Sequence, residues 1–149
     1  MMQAFLKDLF VYTHQCHQQL IQAFQENADR VSPRAVEIWN HILNAHHVWN
    51  HRIMGQPQVF QVWQTHDPKA YTDIEADNYQ ASLQILDGYD LHQIIAYRTT
   101  KGDAYNNTVQ DILFHIINHS AYHRGQIALE FRRSQIEPLI SDYILYKRT

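Results

Sequence analysis

The sequence has little of several residue types on which whole classes of protein depend. Among its 149 residues there are one cysteine, four glycines and four prolines. The single cysteine, Cys16, cannot form an internal disulfide, which indicates a reducing compartment. With so few glycines and prolines, the chain has little material for many tight turns, and this favours long helices. One domain over residues 1–149 is long enough to bury a core without a disulfide or a structural metal.

A long apolar run and an excess of basic residues are also missing. No stretch approaches the roughly 18 to 20 uninterrupted apolar residues of a membrane span, and the N-terminus lacks the basic and apolar regions of a secretory signal. The formal net charge of −3 provides no basic surface for nucleic acid. We therefore expect a cytoplasmic protein that binds neither membranes nor nucleic acid.

Apolar residues at helical spacing and a few capping residues predict four long helices. Ser32 and Pro33 form an N-cap and first-turn pair, and Gly55 and Pro57 end the helix that follows them. The predicted helices cover residues 3–27, residues 33–54, the segment from Thr72 or Asp73 to Gly88, and residues 109–133 with Asn107 or Thr108 as N-cap.

Two of the three segments between these helices are long. Residues 55–72 mix aromatic, proline and polar residues without a clear period, which indicates a long connection packed on the end of a bundle. Alternating residues on either side of Lys101 and Gly102 predict a β-hairpin between the third and fourth helices. The pattern therefore predicts an all-α four-helix bundle with a small β-hairpin, and bundles build their sites from side chains on facing helices.

Histidine is the residue that the chain has in excess, with eleven distributed along it. His119 and His123 lie four residues apart on the fourth predicted helix, one turn above each other and about 6 Å apart along its axis. Both fall within an apolar stripe that comprises Val109, Ile112, Leu113, Ile116 and Ile127. Two such imidazoles would repel if both were protonated, whereas a shared divalent cation satisfies a nitrogen of each. The spacing therefore predicts a metal site at His119 and His123.

A facing helix should supply a third ligand, and the second helix offers several histidines. His46 lies within its apolar stripe and His41 on the flank, so periodicity alone leaves both open. His47 and His51 face away from the stripe, and we expect them to be exposed to solvent. His17 on the first helix points inward, which is more typical of a hydrogen-bonded core residue than of a ligand.

Other polar residues of the fourth helix also need partners. His115 lies toward the edge of the apolar stripe, while Gln126 and Glu130 point inward. An unpaired buried polar group costs roughly 1 to 3 kcal/mol. These residues therefore predict a strip of hydrogen-bonded groups along this helix.

The sequence does not match several better-known metal sites. The zinc-protease helix requires His-Glu-x-x-His, but Ser120 stands at the glutamate position. Di-iron bundles require paired Glu-x-x-His sequences, and the residues three positions after Glu37, Glu75 and Glu130 are not histidines. Cys16 lies on an apolar helical face, where a lone cysteine is more often a core residue than a nucleophile.

Two stretches, "HILNAHHVWNHRIMG" and "DILFHIINHSAYHRGQI", resemble the DinB superfamily of damage-inducible, metal-dependent four-helix-bundle proteins. The family pattern has a histidine followed eight residues later by tryptophan, then arginine and glycine, and these are His41, Trp49, Arg52 and Gly55 here. Its second part, N-H-x-x-x-H-R-G-Q, spans residues 118–126. The hairpin and the C-terminal "DYILY" also resemble family members, so the resemblance extends over essentially the whole chain.

The resemblance implies a three-histidine metal site, carried here by His41, His119 and His123, and it thereby favours His41 over His46. It also implies a homodimer. Related proteins include bacillithiol S-transferases and mycothiol-dependent maleylpyruvate isomerase, so the expected small-molecule substrate is a low-molecular-weight thiol.

The "HRGQ" segment is interpreted as structural. We expect Gly125 to let another helix approach closely, and Arg124 and Gln126 to make polar contacts at the end of the bundle or at an interface.

Three neutral imidazoles without a thiolate suit Zn²⁺, Ni²⁺, Co²⁺ or Fe²⁺ and disfavour Mg²⁺ and Ca²⁺. Three protein ligands leave a coordination position open, as in catalytic sites. We therefore expect a metal-dependent enzyme that activates a thiol, as an S-transferase does, or water, as a hydrolase does. Trp49, Trp63 or Tyr122 would line its mouth, and no catalytic residue is identified. The alternatives are a non-catalytic metal-binding protein and a dimeric scaffold of the stress response.

Overall fold

The computed structural model describes residues 1–148, so Thr149, the last residue of the predicted domain, lies outside the described residues. The protein is mostly helical, with a small antiparallel sheet, as predicted. The elements in chain order are α1 (Met2–Glu26), α2 (Pro33–Met54), a 3₁₀ turn (Pro68–Ala70), α3 (Tyr71–Gly88), β1 (Ile94–Arg98), β2 (Ala104–Thr108), α4 (Val109–Arg133) and α5 (Tyr143–Lys147). Within residues 1–148, no helix has an apolar stretch long enough to cross a lipid bilayer.

The ends of α2 and α4 follow from the capping residues in the sequence. The hydroxyl of Ser32 accepts a hydrogen bond from the backbone N–H of Ala35 at 3.1 Å, and Thr108 caps α4 in the same way. Gly55 ends α2 with φ +65°, a left-handed conformation that a side chain disfavours. The predicted bounds of α2 and α4 are therefore confirmed.

The predicted cap of α3 is wrong, because neither Thr72 nor Asp73 begins the helix. The N-cap carboxylate is instead that of Asp67, which accepts a hydrogen bond from the backbone N–H of Lys69 at 2.9 Å. Pro68 begins the 3₁₀ turn, and α3 continues directly from that turn at Tyr71. A helix that continues from a 3₁₀ turn has most of its first backbone groups already paired, so it needs no separate cap.

The predicted hairpin lies between α3 and α4. Its strands pair antiparallel from Ile94 opposite Thr108 to Arg98 opposite Ala104. The turn contains Gly102 with φ +91°, which explains the glycine at that position. Because β2 runs directly into α4, the hairpin is held beside the N-terminal end of α4.

The long helices enclose two apolar clusters separated by polar residues. Helix α2 packs against α4 and α3, and α1 packs against α3 and α4. One cluster is centred on Phe10, Ile85 and Leu113, and the other on Trp39, Ile127 and Phe131. Between them lies a buried polar layer that consists of His17, His46, Glu75, Ser82 and Ser120. Hydrogen bonds among these groups offset most of the cost of burying them.

Candidate metal centre

Three histidines from α2 and α4 converge where the two helices pack together. Nε2 of His41 lies 3.1 Å from Nε2 of His119, which in turn lies 3.1 Å from Nε2 of His123. One ligand nitrogen from each residue lies within 4.8 Å of the other two. The helical repeat accounts for the pair on α4, and the close packing of α2 against α4 adds His41. These residues form the three-histidine group.

Hydrogen bonds to the outer ring nitrogens orient two of these imidazoles. His41 Nδ1 lies 3.1 Å from the carbonyl oxygen of Val62, and a carbonyl only accepts, so Nδ1 carries the proton. His123 Nδ1 donates to Oε1 of Gln126 at 2.7 Å. Both rings therefore present an unprotonated Nε2 to the group when neutral, which is the arrangement of metal-binding histidines.

Burial keeps His119 and His41 in the form that binds metals. Burial, together with the positive charge of neighbouring histidines, lowers the pKa of His119 to about 3. Burial also lowers the pKa of His41, against the bond to Val62, which raises it. At neutral pH both rings are uncharged and hold a free lone pair.

The geometry of the group fits a divalent cation. Two nitrogens bound to one zinc ion at tetrahedral angles lie about 3.3 Å apart, close to the observed 3.1 Å. Without an ion, His119 can donate its single Nε2 proton to only one of its two neighbours, which leaves the Nε2 lone pair of the other without a donor. A shared cation would bind a lone pair from each ring, so the group could hold a metal ion.

A cleft of about 360 Å³ opens beside the three-histidine group, lined in part by His41 and His119. Its other walls come from α2, the 55–67 connection and the hairpin: Ala45, Val48, Trp49, Arg52, Val62, Tyr97, Thr99, Thr100 and Tyr105. Trp63 stacks on the ring of His41, with centroids 4.0 Å apart. Trp49 thus lines the cleft and Trp63 covers a ligand ring, while Tyr122 contacts His123 with ring centroids 5.0 Å apart.

Two other histidines near the group lie outside it, and His115 is exposed. His46 lies 2.7 Å from the hydroxyl of Ser82, and burial lowers the pKa of His46 to about 4. His115 packs against Trp49 and its pKa is lowered by partial burial of its ring. Of the two residues that periodicity left open, only His41 lies in the three-histidine group.

His17 is the hydrogen-bonded core residue that the sequence predicts. Its Nδ1 lies 2.8 Å from a Glu75 carboxylate oxygen and its Nε2 lies 2.6 Å from the Ser120 hydroxyl. His14 reaches the other oxygen of Glu75 at 3.1 Å. Burial raises the pKa of Glu75, but the positive charge and hydrogen bonds of these histidines outweigh burial and lower it.

This network arranges serine, histidine and glutamate as hydrolases do, yet it is sealed from solvent. His17, Glu75 and Ser120 are 0%, 2% and 2% exposed, and no substrate reaches a hydroxyl so enclosed. The role of Glu75 was not predicted from the sequence. The inward face of α3 carries several polar residues, so periodicity gives no clear signal there.

The prediction that His47 and His51 are exposed is wrong. His47 is 8% exposed because residues 55–67 run along the outer face of α2 and cover it. The backbone N–H of Val59 donates to Nε2 of His47 at 3.0 Å, and His51 bonds to the carbonyl of Pro57 at 2.9 Å. The predicted position of this connection was the end of the bundle. The connection also packs along the outer face of α2.

The predictions for Cys16 and for the HRGQ segment have different outcomes. Cys16 is buried, as a core residue should be, and burial raises the pKa of its thiol. Within the part of the chain described, no atom lies within 4 Å of a side chain added at Gly125. The predicted close approach of a helix to Gly125 therefore does not occur within one chain. Gln126 and Arg124 do make polar contacts, to His123 and to Ser120.

Comparison with known proteins adds one positive finding. A search of curated proteins found no match. The model of the DinB family matches residues 10–149, which is nearly the whole sequence. The matched range contains His41, His119 and His123. By this match the chain belongs to the DinB family.

Proposed function

We propose that this protein binds one divalent transition-metal ion through His41, His119 and His123. The observation that carries the proposal is the convergence of three Nε2 atoms, two of which lie on rings whose only proton is donated elsewhere. Three neutral imidazoles favour Zn²⁺, Ni²⁺, Co²⁺ or Fe²⁺. We further infer a single DinB-type domain in which α1 to α4 form one four-helix bundle.

We also propose that the site is catalytic. A divalent cation held by three protein ligands keeps a position open and promotes ionisation of a thiol or of water. The chain supplies the rest: Val62 and Gln126 hold the ligand rings, and the walls of the cleft exclude water and orient a small molecule. A low-molecular-weight thiol in an S-transferase reaction is our first choice, and hydrolysis with activated water is the second.

The alternative is a protein of the stress response that binds a metal or acts as a dimeric scaffold and catalyses no reaction. The exposed face of α4 favours dimerisation. Helix α4 exposes Phe114, Tyr122 and Leu129, each about half exposed or more, and nothing in the described chain packs on Gly125. Exposed apolar side chains along one helix are typical of contact surfaces. We propose a cytoplasmic homodimer that binds neither membranes nor nucleic acid.

Elemental analysis of protein purified without chelators tests the metal site. We expect about one metal ion per chain in the wild type and none in the His123→Ala variant, which should still fold. His115→Ala is the matched control, because His115 lies on the same helix outside the group, and it should keep its metal. Equal metal content in all three proteins would reject the site.

The cobalt spectrum separates the enzyme from the scaffold. If a coordination position is open, adding azide or a thiol to the cobalt-loaded protein should change its visible absorption. An unchanged spectrum would mean a closed site, which would support a structural role for the metal.

A further inference from the structure

Arg52 lines the cleft beside the three-histidine group. Its guanidinium carbon stands 4.4 Å from the ring centroid of Trp49 and 5.0 Å from that of Tyr97. One nitrogen donates to the carbonyl oxygen of Arg98 at 3.2 Å. Within residues 1–148, no aspartate or glutamate forms a salt bridge with Arg52. Most of its five N–H donors are therefore left for a molecule that enters the cleft.

Such a cation is held in position before any ligand arrives. Burial lowers the pKa of Arg52, because a half-buried guanidinium has lost part of its hydration. Aromatic rings on Trp49 and Tyr97 fix its plane and compensate part of that loss. An anion that bonds to the fork of the guanidinium would compensate the rest.

The remainder of the cleft also favours an anion. None of its lining residues carries a carboxylate, whereas Thr99, Thr100 and Tyr105 contribute hydroxyl groups. A metal ion at the three-histidine group would add a second positive charge to the same cleft. Low-dielectric walls with charge of one sign concentrate ligands of the opposite sign.

The helix sets the length of a molecule that reaches both charges. His41 and Trp49 are eight residues apart on α2, which corresponds to about 12 Å of helix rise. The guanidinium of Arg52 leans back over Trp49, as side chains on helices do. A compound with an extended chain of about six to eight carbons matches this spacing.

We propose that Arg52 selects the substrate by binding a carboxylate of a small molecule whose thiol faces the three-histidine group. The proposal rests on the proposed function, because it assigns the substrate class of that same site. It predicts that Arg52 affects the choice between ligands. A purely structural arginine, tying the hairpin to α2, would affect folding only.

Cobalt-loaded protein can be titrated with 6-mercaptohexanoate and with 6-mercaptohexanol, which differ only in the carboxylate, and followed by visible absorption. We expect the carboxylate to bind about tenfold more tightly, as one charge-assisted bond gives. In Arg52→Gln this preference should fall to about one. Arg52→Lys keeps the charge without the fork and should show an intermediate preference.

Arg34→Gln is the matched control. Arg34 is a cation close to the group, 5.8 Å from the ring centroid of Trp63, but it does not line the cleft. This variant should keep the tenfold preference. Equal binding of the two thiols to the wild type would overturn the role of Arg52 and leave the proposed function standing, as would loss of the preference in Arg34→Gln. If neither thiol changes the spectrum, the proposed catalytic role of the site and the role of Arg52 fail together.

Discussion

His17 in the polar layer and His119 in the three-histidine group both lie on inward faces of long helices, yet their nitrogens meet different atoms. Both ring nitrogens of His17 bond to protein groups, a carboxylate and a hydroxyl. Nε2 of His119 faces the Nε2 atoms of His41 and His123. The position of a histidine on a helix therefore does not decide its role. The role depends on the groups that its ring nitrogens contact.

The two regions also differ in access. The polar layer is enclosed between two apolar clusters, and most of its polar atoms are hydrogen-bonded within the described chain, Nδ1 of His46 excepted. The three-histidine group borders a cleft, so an ion and a ligand can reach it. We expect changes in the polar layer to act on stability, and changes in the three-histidine group to act on binding.

The largest effect should come from the polar layer. Replacing Glu75 with Gln removes the carboxylate charge that accepts hydrogen bonds from His17 and His14, and losing two hydrogen bonds to a buried charged group costs about 3 to 5 kcal/mol. Urea denaturation should show this loss in the free energy of unfolding. The folded fraction should still bind one metal ion per chain, because Glu75 lies outside the three-histidine group. Loss of metal without loss of stability would reverse the assignment of the two regions.

Acid should weaken the fold through His46. Because the pKa of His46 is lowered from 6.5 to about 4 by burial, the unfolded chain binds a proton between these pH values that the folded chain does not. Stability therefore falls as the pH drops from 6.5 to about 4, by about 3 kcal/mol for this residue. Unfolding free energies across this range should show a smaller slope for His46→Gln. An unchanged slope would mean that His46 is charged in the folded protein.

Metal should stabilise the protein only through the three-histidine group. An ion at 100 times its dissociation constant contributes about 2.7 kcal/mol to the folded state. Chelation should therefore lower the melting temperature of the wild type, and it should not change that of His119→Ala. A fall of equal size in both proteins would show that the ion binds elsewhere.

The smallest effect should come from an exposed carboxylate. Glu37 pairs with Arg34 at 3.1 Å, but both side chains are more than half exposed. Glu37→Gln should change the free energy of unfolding by less than about 0.5 kcal/mol. This variant is the control for Glu75→Gln, since it makes the same chemical change on the surface. A loss comparable to that of Glu75→Gln would mean that burial does not separate the two sites.

Local chemistry made part of the structure predictable. The caps at Ser32 and Thr108 and the glycine at the end of α2 act within a few residues, so the bounds of α2 and α4 could be read from the sequence. The start of α3 could not, because Asp67 caps a 3₁₀ turn that then continues as a helix. The burial of His47 could not either, because it depends on how residues 55–67 pack along α2.

The candidate site was also only partly predictable from the sequence. His119 and His123 share a helix, so their spacing alone predicts a pair of ligands. His41 and His46 both point toward the interior, and only the resemblance to a family favoured His41. The two residues differ in a contact between helices, because His46 forms a hydrogen bond with Ser82 on α3.

X-ray absorption spectroscopy of the metal-loaded protein at the edge of the bound metal tests the shared ion most directly. We predict three imidazole nitrogens at about 2.0 to 2.1 Å if the metal is zinc, and no bound metal in the His123→Ala variant. A shell made only of oxygen atoms, or a histidine signal that His123→Ala leaves unchanged, would contradict the account.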